Sequence, residues 1–213
     1  MSSFAIILVL MSAGIHIIWN SLTKSSSNPR AFSLFKGTIL MVVAIIFSMG
    51  FPILSIPAGI WVLIMLSGII HSVYILALST AYEKGEISYV YPIVRSAPAF
   101  VPLAAFLMLG ETISIRGGVG VFTVVICIII LLLQGKLLAN PSLISIFFRK
   151  ENFWAFVTLG TVVIYSITDK KGMLAMQQVD ELPVYIHGVI FFLLETTICY
   201  LIYWVFMLSS KKG

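Results

Sequence analysis

Long apolar runs, each closed by charge or by Gly, Pro and Asn, divide this chain from end to end. A helix that crosses roughly 30 Å of hydrocarbon needs about 20 mostly apolar residues. Runs near that length are Phe4–Ser21, Ala31–Ile53, Gly59–Tyr82, Ile87–Leu109, Gly117–Gln134, Phe153–Asp169 and Val184–Leu208. None alternates apolar and polar positions in the manner of a transmembrane barrel strand, and backbone facing lipid must satisfy its own hydrogen bonds, so each run predicts a helix. The fold class expected is an all-α integral membrane protein with about seven transmembrane helices. Between the fifth and sixth runs lies the longest connection, Gly135–Asn152, where Asn140-Pro141-Ser142 precedes an apolar stretch, Leu143–Phe148, and then Arg149-Lys150. This predicts a linker with a short interfacial segment.

Composition sharpens the picture. The chain has 213 residues, 60% of them hydrophobic and 10% charged, with a mean hydropathy of +1.11. Such values exclude an ordinary soluble domain and point to the lipid bilayer as the main partner and the cell membrane as the location. A net charge of +5 does not indicate nucleic acid, because the basic residues are spread over several short loops. The first run is not a cleavable signal peptide: Met1-Ser2-Ser3 carries no positive charge, and His16, Trp19 and Asn20 stand where small residues would be needed. Cys127 and Cys199 lie inside apolar runs with no CxxC or His-rich surroundings, so they are read as packing residues rather than as a disulfide or metal site. No HExxH, GxSxG, P-loop or GxGxxG pattern is present, so no enzyme activity, cofactor or metal is expected. The seventh run has no Lys for a Schiff base, which disfavours a retinal protein.

The Lys and Arg positions give an orientation. Arg116, Lys170 and Lys171 fall on one side, and Lys24, Arg30, Lys36, Lys84, Lys136, Arg149, Lys150, Lys211 and Lys212 on the other, with Arg95 inside a run. The positive-inside rule then places the N-terminus outside. A weak internal echo also exists: Trp19-Asn20-Ser21-Leu22-Thr23-Lys24 closes the first run as Tyr165-Ser166-Ile167-Thr168-Asp169-Lys170 closes the sixth. A repeat unit of five helices would invert its second copy, an arrangement found in transporters.

Three stretches carry a more specific resemblance: Gly14–Asn20 with Lys24, Ala81–Arg95, and Leu109-Gly110-Glu111-Thr112-Ile113. They resemble the EamA-type family of the drug/metabolite transporter superfamily, and Tyr165 to Gly172 resembles the opening helix of that family's second half. The resemblance implies two inverted five-helix halves that carry small organic solutes through a central cavity lined by helices one, three and four. On that basis residues 1–134 form the first five-helix repeat, 135–152 the linker and 153–213 the first two helices of an inverted second repeat. Two departures stand out. The family usually has both ends in the cytoplasm, against the charges here, and it continues for three further helices. The expectation is therefore a chain cut short, with about 80 more residues encoded beyond it, or one completed by a second copy or a complementing membrane subunit.

Polar residues inside the runs are the candidate solute-binding residues. Arg95 lies eight residues into the fourth run, about 12 Å deep, among Pro92, Pro98 and Pro102. Prolines withhold an N–H and loosen the helix, so a broken helix with a buried guanidinium is expected to hold a solute or anion; the alternative is a snorkelling or structurally paired Arg. Glu195, mid-run in the seventh, has three open roles: partner of Arg95, proton carrier, or neutral acid hydrogen-bonded between helices. His16 and Asn20 share a face of the first helix, His71, Tyr74 and Leu78 share a face of the third, and Tyr91 can join them from the fourth. These side chains line a wet cavity or simply tie helices together. Trp19 suits an interfacial anchor. The function expected is alternating-access transport of a small-molecule solute; the alternative is a non-transporting membrane subunit or inactive remnant.

Overall fold

The computed structural model describes residues 3–132 and 150–210. Eight helices run through them: α1 (Ser3–Ser25), α2 (Pro29–Ser48), α3 (Ala58–Lys84), α4 (Ile87–Arg95), α5 (Ala97–Leu109), α6 (Ile115–Leu132), α7 (Phe153–Met176) and α8 (His187–Ser210). No strand occurs among the described residues. Each apolar run coincides with a helix, except that the fourth is divided into α4 and α5. The Leu143–Phe148 segment lies outside the described residues.

Among the described residues, five stretches are long and apolar enough to cross a membrane: Ile6–Ser25, Pro29–Ser48, Ala58–Lys84, Tyr89–Leu109 and Val184–Ser209. Ile115–Ile128 is a shorter apolar helix. The molecule is thus a multi-helical, membrane-embedded protein. Large apolar side chains such as Leu10, Ile18, Phe35, Ile46, Leu107 and Phe122 stand exposed on its outside, an arrangement that suits lipid and would be a liability in water.

Local chemistry sets the helix ends. Asn28 caps α2, its side-chain oxygen accepting from Ala31 N at 2.9 Å, with Pro29 in the first turn where its missing N–H is harmless. The Lys24 ammonium, at the end of α1, donates to the carbonyls of Tyr82 and Gly85 at 2.7 and 3.1 Å. It thereby satisfies the C-terminal end of α3, where a cation is favoured. Gly110 ends α5 with φ +66°, a left-handed conformation that glycine adopts without a Cβ clash. Beyond it, Glu111 forms an ion pair with Lys170 of α7.

α3 is the central element and packs most extensively against α7 and α8, while α2 packs on α8. Small residues let the helices close in. Gly68 of α3 lies against Ile198 and the Glu195 backbone of α8, and Gly172 of α7 lies under the Phe191 ring. Hydrogen bonds add register: Trp204 Nε1 donates to Thr38 Oγ1 at 2.8 Å, and Tyr203 OH donates to the Arg30 carbonyl at 3.2 Å. His187 holds the turn before α8, its Nε2 facing the carbonyls of Val179 and Leu182 at 3.1 and 2.9 Å.

Two boundaries differ from the sequence reading. Helix α7 continues past Asp169 to Met176, because Gly172-Met173-Leu174-Ala175-Met176 sustains the helix after the charged turn; Asp169 therefore sits within the bundle. Lys36, counted above among loop charges, lies inside α2 with its ammonium 3.5 Å from the centre of the Trp19 ring. Lys170 and Lys171 lie inside α7 in the same way, and removing all three from the loop tally leaves the same side the more basic.

Candidate functional site: a divided chamber

Two adjoining cavities carry most of the polar side chains that face inward between the apolar helices. The larger, about 500 Å³, is lined by His16 and Trp19 of α1, Lys36 of α2, His71, Tyr74 and Leu78 of α3, and Glu195 of α8, among others. The smaller, about 350 Å³, is lined by His16, Asn20, Tyr74, Tyr82, Arg95, Tyr165 and Ser166. His16 and Tyr74 belong to both, so the two are halves of one chamber with these side chains between them. Volumes of this order suit a small organic solute.

The smaller half lies beside the interrupted helix. Ser96 separates α4 from α5, and its Oγ donates to the Ile93 carbonyl at 2.6 Å. Pro98 has no N–H to return to the Val94 carbonyl, which explains why the break falls there. Arg95 ends α4 with its guanidinium 5.2 Å from the centre of the Tyr91 ring, and it makes no ion pair among the described residues. Pairing of Arg95 with Glu195, one of the three roles open for that carboxylate, is therefore not what the structure shows.

Glu195 instead meets α3 and α7. Its Oε2 lies 2.5 Å from Ser67 Oγ and 3.7 Å from His71 Nδ1. Asp169 joins from α7, hydrogen-bonded to the same Ser67 hydroxyl and 3.9 Å from His71 Nε2. The His71 ring is stacked on Tyr165, with centroids 4.0 Å apart, and its Nδ1 faces the Ser67 carbonyl at 3.1 Å. His71, Asp169 and Glu195 lie within 4.8 Å of one another. Ser67 Oγ is within hydrogen-bonding distance of all three, which makes the group a hydrogen-bonded cluster rather than an open coordination shell.

No protein-family model, curated protein or solved structure matches the chain. Its site must be judged on its own geometry.

The sequence-predicted residues fall into three places. His71, Tyr74 and Glu195 meet in the larger cavity, as does His16, whose Nδ1 accepts from Trp19 Nε1 at 2.7 Å. That bond and its place in the cavity lining give Trp19 an inward contact. Arg95 lies across the His16 and Tyr74 wall in the smaller cavity. Asn20 lines the smaller cavity but is engaged in structure: its Oδ1 accepts from Tyr82 OH at 2.9 Å and its Nδ2 donates to the His16 carbonyl at 2.6 Å. Tyr91 does not join the chamber; it lies near Arg95 and lines a shallower recess of about 420 Å³ with Asn20 and Pro92.

The chamber-side residues missed include Lys36, Ser67, Tyr165 and Asp169. A Lys five residues into an apolar run was a usable signal for the first, since intramembrane charge is rare and functional by default. Asp169 was masked by the two lysines that follow it.

Proposed function

We propose that the chain is a carrier for small organic solutes bearing a negatively charged group, working by alternating access in the manner of the EamA-type drug/metabolite transporters it resembles. The observation that carries the reading is Arg95: a guanidinium without an ion-pair partner among the described residues, at a helix break, facing a chamber between apolar helices. Discontinuous helices near the bilayer midplane are where transporters place solute sites, because an interrupted backbone is tolerated only where it lines a cavity. Lys36 adds a second cation in the larger half and Glu195 an acid, so one chamber offers both signs of charge. The inverted-repeat organisation, with residues 153–213 as the start of a second half, belongs to the same proposal.

Uptake by the purified chain in liposomes, screened over small carboxylates and phosphate esters, tests it. Arg95→Lys keeps the charge but loses the planar two-pronged fork, so it is expected to weaken uptake about tenfold or more, roughly the loss of one good charged hydrogen bond. Arg95→Ala is expected to abolish uptake while the chain still inserts. Unchanged uptake by the Ala variant would remove Arg95 from the site. Absence of uptake for every anionic solute would favour a non-transporting membrane subunit.

A further inference from the structure

The Ser67 hydroxyl carries one hydrogen and can donate it once. Two carboxylates press on it: Asp169, hydrogen-bonded from α7, and Glu195, at 2.5 Å from α8. With both carboxylates ionised, one of those contacts would set oxygen lone pairs against each other with no hydrogen between. His71 does not supply the missing hydrogen. Its Nδ1 lies 3.1 Å from the Ser67 carbonyl and 3.2 Å from Ser67 Oγ, so any hydrogen there points at Ser67 and not between that hydroxyl and a carboxylate, and its 3.7 and 3.9 Å separations from Glu195 and Asp169 exceed hydrogen-bonding reach. The cluster is therefore one hydrogen short.

A divalent metal could also balance two carboxylates. His71, Asp169 and Glu195 offer ligand atoms within 4.8 Å of one another, but the Ser67 hydroxyl already bridges the two carboxylates. A proton balances them without displacing that hydroxyl.

The other charged or titratable neighbours leave that assignment in place. On α3, α7 and α8 these are Tyr74, Tyr165, Cys199 and Tyr200. From α1 and α2, His16 and Lys36 face the cavity that Glu195 lines. The Lys36 ammonium sits over the Trp19 ring, and Arg95 faces the adjoining half; neither forms an ion pair with the two carboxylates.

We propose that Ser67, His71, Asp169 and Glu195 form a proton-binding site in which the two carboxylates share one proton through the Ser67 hydroxyl. Loading takes one proton from water and forms one O–H bond; unloading returns it by way of the cavity that Glu195 lines. Because Ser67, Asp169 and Glu195 sit on different helices, unloading sets a repulsive contact between α3 and either α7 or α8. Proton occupancy thus controls how the central helix packs. Its use in driving solute movement rests on the carrier reading; the binding site itself does not.

Infrared difference spectroscopy on the full chain in liposomes, titrated from mildly acidic to alkaline pH, tests the site directly. A protonated-carboxyl C=O band is expected at neutral pH, vanishing on the alkaline side. Glu195→Gln and Asp169→Asn should each abolish it, since either amide supplies hydrogens and leaves the remaining carboxylate free to ionise. Carbon-13 labelling of Asp and Glu carboxyls must shift the band in the unsubstituted chain, a check that needs no variant to fold. No band at any pH, a band unmoved by the label, or one that survives in both variants overturns the proposal. So does stoichiometric Zn²⁺ or Mn²⁺ binding that both substitutions remove. A band without solute uptake would sink the carrier reading alone, and uptake without a band would sink only the proton site.

Discussion

At Gly68, an added Cβ would stand 2.7 Å from the Ile198 side chain and 3.0 Å from the Glu195 carbonyl oxygen. The carbonyl belongs to helical backbone and cannot yield as a side-chain tip can, so the missing methyl group is what lets Ser67 reach Glu195. Gly68→Val is expected to lower stability by about 1–3 kcal/mol, the usual range for overpacking, measured as the thermal midpoint of the detergent-solubilised chain. Gly59→Ala on the same helix, where nothing lies within 4 Å, is the control and should leave the midpoint in place. Equal midpoints for both variants would show that α3 and α8 do not meet at this glycine. Residue types were legible in the sequence wherever polarity stood out against lipid: His16, His71, Tyr74, Arg95 and Glu195 were found because a polar side chain in an apolar run must have an occupation. Ser67 escaped because a small hydroxyl is unremarkable in a membrane helix, where it can bond to its own backbone. Its significance comes from Asp169 and Glu195, 102 and 128 residues away, and no local pattern encodes that meeting.

At the scale of elements, the interrupted fourth helix was readable from three prolines within eleven residues, and the break at Ser96 has its local cause in Pro98. Pro98→Ala restores an N–H that can bond to the Val94 carbonyl. The expected outcome is one continuous α4–α5 helix, with slower amide hydrogen exchange around residues 95–99 and reduced solute uptake, because Arg95 would turn with the closing helix. Faster exchange there would show that the break has another origin. The length of α7 was not readable. Asp169, Lys170 and Lys171 look like the edge of a span, yet hydropathy reports where lipid ends and says nothing of where backbone hydrogen bonding stops. The Glu111–Lys170 ion pair and the Asp169 contact with Ser67 occupy the same turn of α7, so the charges that suggested a boundary are engaged by neighbouring helices.

Alternate crossing assigns most of the loop Lys and Arg to one side, and the ion pair between Glu111 and Lys170 joins two positions that the same alternation places together. From the positive-inside rule, Cys introduced at Lys84 is expected to react with an impermeant maleimide only when the cytoplasmic face is opened, and Cys at Lys171 in intact cells. Both would be placed in a chain whose Cys127 and Cys199 are replaced by Ser. The reverse pattern would mean that the orientation usual for EamA-type proteins overrides these charges. The divided chamber has a consequence of its own. Between its halves stand the side chains of His16 and Tyr74, the first tethered to Trp19 and the second edge-on to the rings of His71 and Tyr165. A partition built of rings can open by χ1 rotation while every helix keeps its place. Passage between the Arg95 side and the Glu195 side then turns on two packed rings rather than on the displacement of a helix.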